Sequence, residues 1–221
     1  MTDRPIIFSA PMVKAMIAGR KTQTRRLLKK GCPASRNLIL PDGPNKGGVQ
    51  MSYAPGDRLY VREAHRCNGW ASDVATIFYR ASEGEGYTAM CEQWPVADHK
   101  PMPVSGKWRS PIHMPRWASR LTLTVTDVRV ERLNEISEAD AIAEGGLRNP
   151  GPTEYGDYFS SEVPESFGDQ DWGSAREWFA DLWNTIHGPS AWDDNPWVVA
   201  ISFDVRHGNI DMAAPAVQVP A

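Results

Sequence analysis

The densest chemistry in this chain lies in Arg20, Lys21, Thr22, Thr24, Arg25 and Arg26, four cations and two hydroxyls within seven residues. Such a cluster suits an anionic or polar ligand, because cations and hydroxyls are donors that phosphates and carbonyls accept. A second candidate is Glu144, which ends a predicted helix beside Gly145 and Gly146. A carboxylate there faces the negative end of the helix dipole, unfavourable by about 0.3–1 kcal/mol. A residue set against its local preference is either a solvated surface group or a functional one. A third set is Arg116 and Trp117, in the proline-framed segment Ser110 to Trp117. Arginine on a phosphate and tryptophan under a base would line a nucleotide pocket. Alternatively, Trp117 is a core residue that plugs one end of the fold.

Other chemistries lack their signatures. His65 and Cys67 lie two apart, and Cys32 and Cys91 are far from them, so no pair has the cysteine spacing of a structural zinc site. No metal and no cofactor is expected. There is no Gly-x-Ser-x-Gly nucleophile turn, no phosphate loop and no dinucleotide fingerprint.

The elements that must position these residues are legible in part. Pro5 to Phe8 reads as a strand. Ser9 is a suitable N-cap for a helix running to Ala18, with Met12, Met16, Val13 and Ile17 giving it an apolar face and Gly19 ending it. Leu59 to Glu63 and Thr76 to Arg80 read as strands. Leu121 to Val130 is the clearest strand, alternating leucine and valine with threonine, with a bulge expected at Thr126 and Asp127. Ser137 to Asp140 and Ser174 to Glu177 match capping boxes. The second opens a helix whose Trp178, Phe179, Leu182, Trp183 and Ile186 form an apolar stripe. Trp197 to Phe203 reads as the last strand. Residues 31–54, 82–108 and 147–173 read as long irregular insertions, and the tail from Asn209 to Ala221 is expected to fray.

The run from Gly19 to Arg26 resembles the opening Gly-Arg-Lys-Thr-x-Thr-x-Arg motif of the ASCH superfamily. The turn and strand from Pro55 to Glu63, and the strand from Trp197 to Phe203, are also similar to that family's elements. The likeness is nearest to the long ASCH-like proteins carried by phages and prophages, and it spans about Pro5 to Val205. The resemblance implies an α+β fold: a small mixed or antiparallel PUA-like β-barrel with covering helices and long loop insertions. It implies a single domain over residues 1–208, followed by a tail over 209–221. The small bacterial ASCH enzymes that hydrolyse N4-acetylcytidine use a lysine, a threonine and a glutamate, and these carry over to Lys21, Thr24 and Glu144. Arg20, Thr22, Arg25, Arg26, Glu63, Arg116 and Trp117 are the expected ligand-binding residues.

The physical chemistry of that trio is coherent. Lysine near other cations has a depressed pKa and can serve as a base, and threonine becomes a nucleophile once deprotonated. Equally, lysine and threonine can hold the substrate while glutamate activates water. This chain is about twice as long as those enzymes, with loops able to reshape the site.

Composition sets the outer limits. A chain of 221 residues with 41% hydrophobic residues can bury a substantial core. No apolar run approaches the ~20 residues of a membrane-spanning helix. Three widely spaced cysteines argue against a disulfide framework and fit a reducing cytoplasm. The net charge of −3 hides an asymmetry. Cations dominate residues 1–36, where Asp3 is the single acid, while acids dominate 131–194. The basic part either faces nucleic acid or neutralises the acidic part within the fold.

Three functions follow as expectations. The first is binding of RNA, DNA or a modified nucleoside in a basic cleft. The second is hydrolysis by Lys21, Thr24 and Glu144, as an N4-acetylcytidine-type amidohydrolase or a ribonuclease. The third is a phage accessory protein that binds a host protein through its acidic insertions.

Overall fold

The structure, a computed structural model, describes residues 3–28, 53–84, 86, 91–149, 157–160 and 172–212. These form an α+β protein of ten strands and three α-helices among the described residues. They gather into two compact units. The first comprises Met1–Lys14, Arg58–Thr124 and Val205–Ala221; the second comprises Ala15–Asp57 and Val125–Asp204.

In the first unit, β1 (Asp3–Ile7) pairs parallel to β3 (Arg58–Arg62), which pairs antiparallel to the start of β7 (Leu121–Arg132). The tight turn before β3 is set by Gly56 at φ +88°, a region that favours glycine. A second sheet is a meander of β4 (His65–Trp70), β5 (Val74–Tyr79) and β6 (Cys91–Pro95). One of its faces sends Cys67, Ile77, Tyr79 and Trp94 into a core with Val96, Met102, Met114 and Ala118. The strand β6 falls inside the stretch expected to be irregular. Its Cys-Glu-Gln-Trp-Pro sequence has little β-propensity, and its pairing with β5 supplies what local preference lacks.

In the second unit, the rest of β7 neighbours β10 (Trp197–His207), which pairs antiparallel to β2 (Gln23–Leu27). The helices α2 (Glu138–Ala143) and α3 (Ala175–His187) pack together. Both start at the predicted N-cap serine: Ser137 accepts from the Asp140 amide at 3.1 Å and Ser174 from the Glu177 amide at 3.2 Å. Trp178, Phe179 and Trp183 of α3 are buried with Leu133, Ile136, Ala141 and Val198, each large apolar side chain contributing about 1.5–3 kcal/mol relative to exposure. Ile186, expected in the same stripe, is 51% exposed. A short hairpin of β8 (Leu147–Asn149) and β9 (Tyr158–Ser160) completes the unit.

The first helix, α1 (Ala10–Ile17), ends at Gly19 with φ +72°, as its sequence predicts. It buries Val13, Ala15 and Met16 and leaves Ile17 exposed, a stripe rotated from the expected one. β7 is one strand from Leu121 to Arg132, and Thr126 and Asp127 are both exposed on it. No sheet closes into a barrel among the described residues. The chain does not fray at Asn209: Asn209 and Ile210 are buried, and the Asn209 amide donates to the carbonyls of Arg116, Trp117 and Ser119. The expected insertion 31–54 lies almost wholly outside the described residues, as do much of 147–173 and residues 213–221.

Candidate functional site

The second unit holds a buried ion network at the junction of α1, β2 and the end of α2. Its geometry starts with backbone. Gly19 turns the chain after α1, so the amides of Arg20 and Lys21 both donate to Ala15 O, at 2.9 and 3.1 Å. The Thr22 amide then donates to Ala143 O at 2.9 Å, and Thr22 O accepts from the Phe203 amide at 2.9 Å. Residue 22 thus ties the incoming strand to α2 and to β10, while its side chain is exposed.

Lys21 is completely buried. Its Nζ donates to Glu144 Oε2 at 2.6 Å and to Glu144 O at 2.7 Å. The ammonium therefore satisfies one of the unpaired carbonyls at the C-terminus of α2, where a cation complements the helix dipole. This answers the anomaly of Glu144, which is 4% exposed and shares a cation with the helix end it occupies. Burial pushes the Lys21 pKa below the usual lysine value, and the charges of Arg26 and Arg25 lower it further against the opposing pull of Glu144.

Strand alternation organises the rest. Gln23 and Arg25 share one face of β2. Gln23 donates to Asp140 Oδ1 and Ser202 Oγ, both at 3.1 Å. The Arg25 side chain is fully buried, reaching Glu131 at 2.6 Å, Asp140 at 3.2 Å and Glu144 at 3.3 Å. Burial acts to raise Asp140, but hydrogen bonds from Gln23 and Arg129 and the charges of Arg129 and Arg25 bring it below the usual carboxylate range.

The expected site residues divide accordingly. Lys21 and Glu144 come together. Thr24 is buried opposite Ile201 in the β2–β10 register, and alternation gives it the other face of β2 from Gln23 and Arg25. Arg25, expected to bind an anionic ligand, is instead held by three carboxylates of the protein, because a buried guanidinium without partners would be far more costly than a paired one. Arg20 donates to Gly145 O at 2.7 Å. Arg26 is half-buried, and burial lowers its pKa against the charges of Tyr53 and Glu144.

The remaining candidates belong to the first unit. Glu63 is buried and held by Arg120, Nε to Oε1 at 2.8 Å and Nη2 to Oε2 at 3.1 Å. Burial raises the Glu63 pKa and Arg120 opposes it. Arg116 is paired with Asp3 at 2.6 Å and also with Asp211, so it is not a free phosphate ligand. Trp117 is half-buried, with His99 stacked on it at 5.5 Å and Trp70 edge-on at 5.8 Å. Among the described residues no group of three His, Cys, Asp or Glu side chains could hold a metal ion. No helix of the described chain is long and apolar enough to cross a membrane.

Sequence reasoning missed Gln23, Glu131 and Asp140. The period of two over Lys21, Gln23 and Arg25 was the available signal for Gln23. Asp140 was read only as the third residue of a cap. Taken together, the site is one lysine and one glutamate in buried contact, backed by a guanidinium that two further carboxylates hold in place. No family model, no curated protein and no solved structure matches this chain.

Proposed function

We propose that the protein is a hydrolase that uses Lys21 and Glu144 as a proton-transfer pair on an N-acylated nucleoside. The observation that carries this reading is the contact of 2.6 Å between the Lys21 ammonium and the Glu144 carboxylate, with both groups buried. A buried ion pair is weak support for stability, since its desolvation offsets much of its attraction. A lysine whose pKa is depressed by burial beside a carboxylate is the arrangement that general acid–base catalysis needs near neutral pH.

The steps balance simply. Neutral Lys21 takes a proton from water as the water oxygen bonds to the acyl carbon. The tetrahedral intermediate then breaks its carbon–nitrogen bond, and the proton passes through Glu144 to the leaving amine. The products are a carboxylic acid and the free nucleoside amine. Thr24, on the other face of β2 from Gln23 and Arg25, favours water over threonine as the nucleophile. The ASCH-type, PUA-like assignment belongs to the same proposal. Its support is the Gly19–Arg26 motif at the α1–β2 junction and the glycine turn that opens β3.

The test incubates the purified chain with a panel of N4-acylated cytidines and follows acid release by mass. Wild-type turnover is expected, with a loss of about 10²–10⁴-fold in Lys21→Met and Glu144→Gln. Circular dichroism checks that each variant is folded, and Lys21→Met, which leaves Glu144 its Arg25 partner, serves if the glutamate variant is not. No turnover by the wild type, or full turnover by folded Lys21→Met, overturns the proposal.

A further inference from the structure

We propose that the outer face of β4 and β5, at Arg66, Arg80 and Trp108, with the exposed Lys107 next to Trp108 in the chain, binds single-stranded nucleic acid. This surface lies in the first unit and owes nothing to Lys21 or Glu144.

The sheet β4–β5–β6 has two unlike faces. Cys67, Ile77, Tyr79 and Trp94 point into the core. Arg66, directly opposite Phe78 in the register, takes the other face. Residues 104–109 run alongside β4, through bridges from Cys67 to Val104 and from His65 to Arg109. Trp108 consequently comes up beside Arg66, while Arg109, paired with the inward His65, takes the opposite face. The Arg66 guanidinium carbon is 5.2 Å from the Phe78 ring and 4.8 Å from the Trp108 ring, and that of Arg80 is 5.9 Å from Trp108. The order is ring, cation, ring, cation.

Two observations distinguish this ladder from ordinary surface packing. First, its charges are unanswered. Among the described residues neither Arg66 nor Lys107 has a carboxylate within ion-pairing distance, and Arg80 has only Glu83, at 3.9 Å and half-exposed. This contrasts with Lys21 and Arg25, whose charges are met by carboxylates on α2 and β7. Second, Arg66 is fixed but unsatisfied. Its Nη1 donates to Gly106 O at 3.0 Å, while its Nε is buried without any hydrogen-bond partner. The buried Nε is closed to solvent, so an incoming acceptor meets the exposed end of the guanidinium group. Phosphate oxygens supply acceptors and the opposite charge together. The sandwich has already immobilised the guanidinium, so little side-chain entropy remains to be lost on binding.

The indole selects the occupant. Cations alone would suit any polyanion. A half-exposed tryptophan beside two guanidinium groups suits a chain that alternates phosphates with planar bases, and single-stranded nucleic acid is that chain. An acidic peptide would use the cations and leave the ring unused.

The test is fluorescence anisotropy of labelled DNA and RNA single strands of about 15 nucleotides, titrated with the full chain at about 50 and about 200 mM salt. Wild-type binding should weaken steeply with salt. The exposed double variant Arg80→Glu with Lys107→Glu should lose at least about tenfold affinity at the lower salt and flatten the salt dependence. Trp108→Ala should weaken binding by about five- to a hundredfold. Lys21→Met should bind like the wild type, which separates this surface from the proposed hydrolase site. If Trp108→Ala is misfolded by its melting curve, Arg80→Gln with Lys107→Gln carries the test. Undiminished binding by the charge variants overturns the proposal. So does competition by polyglutamate that the folded Trp108→Ala variant matches, since that would identify an acidic peptide as the occupant.

Discussion

Lys21 donates to both the carbonyl and the carboxylate of Glu144, at 2.7 and 2.6 Å, so one buried ammonium closes the end of α2 and neutralises its last side chain. Arg25 Nη1 approaches the other carboxylate oxygen at 3.3 Å. Glu144 therefore meets two buried cations, one on each carboxylate oxygen. Glu144→Ala should destabilise the protein by about 3–5 kcal/mol, because it takes a buried carboxylate away from both Lys21 and Arg25. Lys21→Met should cost less, about 1–2 kcal/mol, because Glu144 keeps Arg25. Urea unfolding of both variants checks the order, and the reverse order would refute this account of the network.

Charge reversal at Arg25 should unfold the protein rather than leave it intact. Its fully buried side chain faces Glu131, Asp140 and Glu144, and a fourth carboxylate among them would outnumber the neighbouring cations Lys21 and Arg129. Arg25→Glu should give no cooperative thermal transition, whereas reversal at the exposed Arg80 should leave the melting temperature within a few degrees of wild type. A cooperative transition in Arg25→Glu would contradict the observed burial.

The depressed Lys21 pKa gives a signed prediction for activity. Lys21 acts as a base only when neutral, so turnover should rise with pH to a plateau. The midpoint should lie below the ordinary lysine value of 10.5. Lys21→Arg keeps the charge but cannot lose its proton in this range, so it should be inactive at every pH tested. A pH-rate profile of wild type and variant decides it, and activity in Lys21→Arg would exclude the base role.

Glycine 145 is tied to the site by space as well as by conformation. It adopts φ +114°, and a Cβ there would lie 3.1 Å from the Ala15 Cβ and 3.4 Å from the Lys21 Cβ. Gly145→Ala should destabilise by about 1–3 kcal/mol and disturb Lys21 directly. Gly19→Ala, also at positive φ but with open space around it, should show the strain alone and cost less. Thermal melts of the two variants compare them.

Glu92 should make stability depend on pH in the first unit. Burial, assisted by the charge of Glu63 and opposed by Arg120, raises its pKa to about 6. The folded state thus holds a proton that the unfolded state releases near 4.5. Its contribution is complete below that pH and is lost as pH rises through about 6, by about 1–2 kcal/mol after allowance for partial exposure. His207, 3.9 Å from Glu92, is shifted down by burial and by Arg120, so it titrates with the opposite sign. Glu92→Gln should therefore be more stable than wild type at pH 7 relative to pH 4. Equal pH profiles would refute the assignment.

Short-range signals in the chain specify its local elements. Gly19 stops α1 because the left-handed region admits glycine without a Cβ clash, and Ser137 and Ser174 cap their helices through amides three residues on. The alternation from Leu121 to Val130 makes a strand because one of its faces is apolar. The sequence also singled out Lys21 and, by its awkward place at a helix end, Glu144. Tertiary structure alone decided what these residues meet. Nothing within residues 20–26 tells that Arg25 is buried, since its partners Glu131, Asp140 and Glu144 lie more than a hundred residues away. A run of cations reads as a phosphate surface until the fold supplies carboxylates to it. In the same way Arg66, Trp108 and Arg80 are separated along the chain and form a ladder only because residues 104–109 run alongside β4. The strand β6 was illegible for a related reason: its pairing with β5, not its own propensity, makes it extended. Contacts between distant segments carry no local periodicity, so the assignment of charge to interior or surface waited for the tertiary structure.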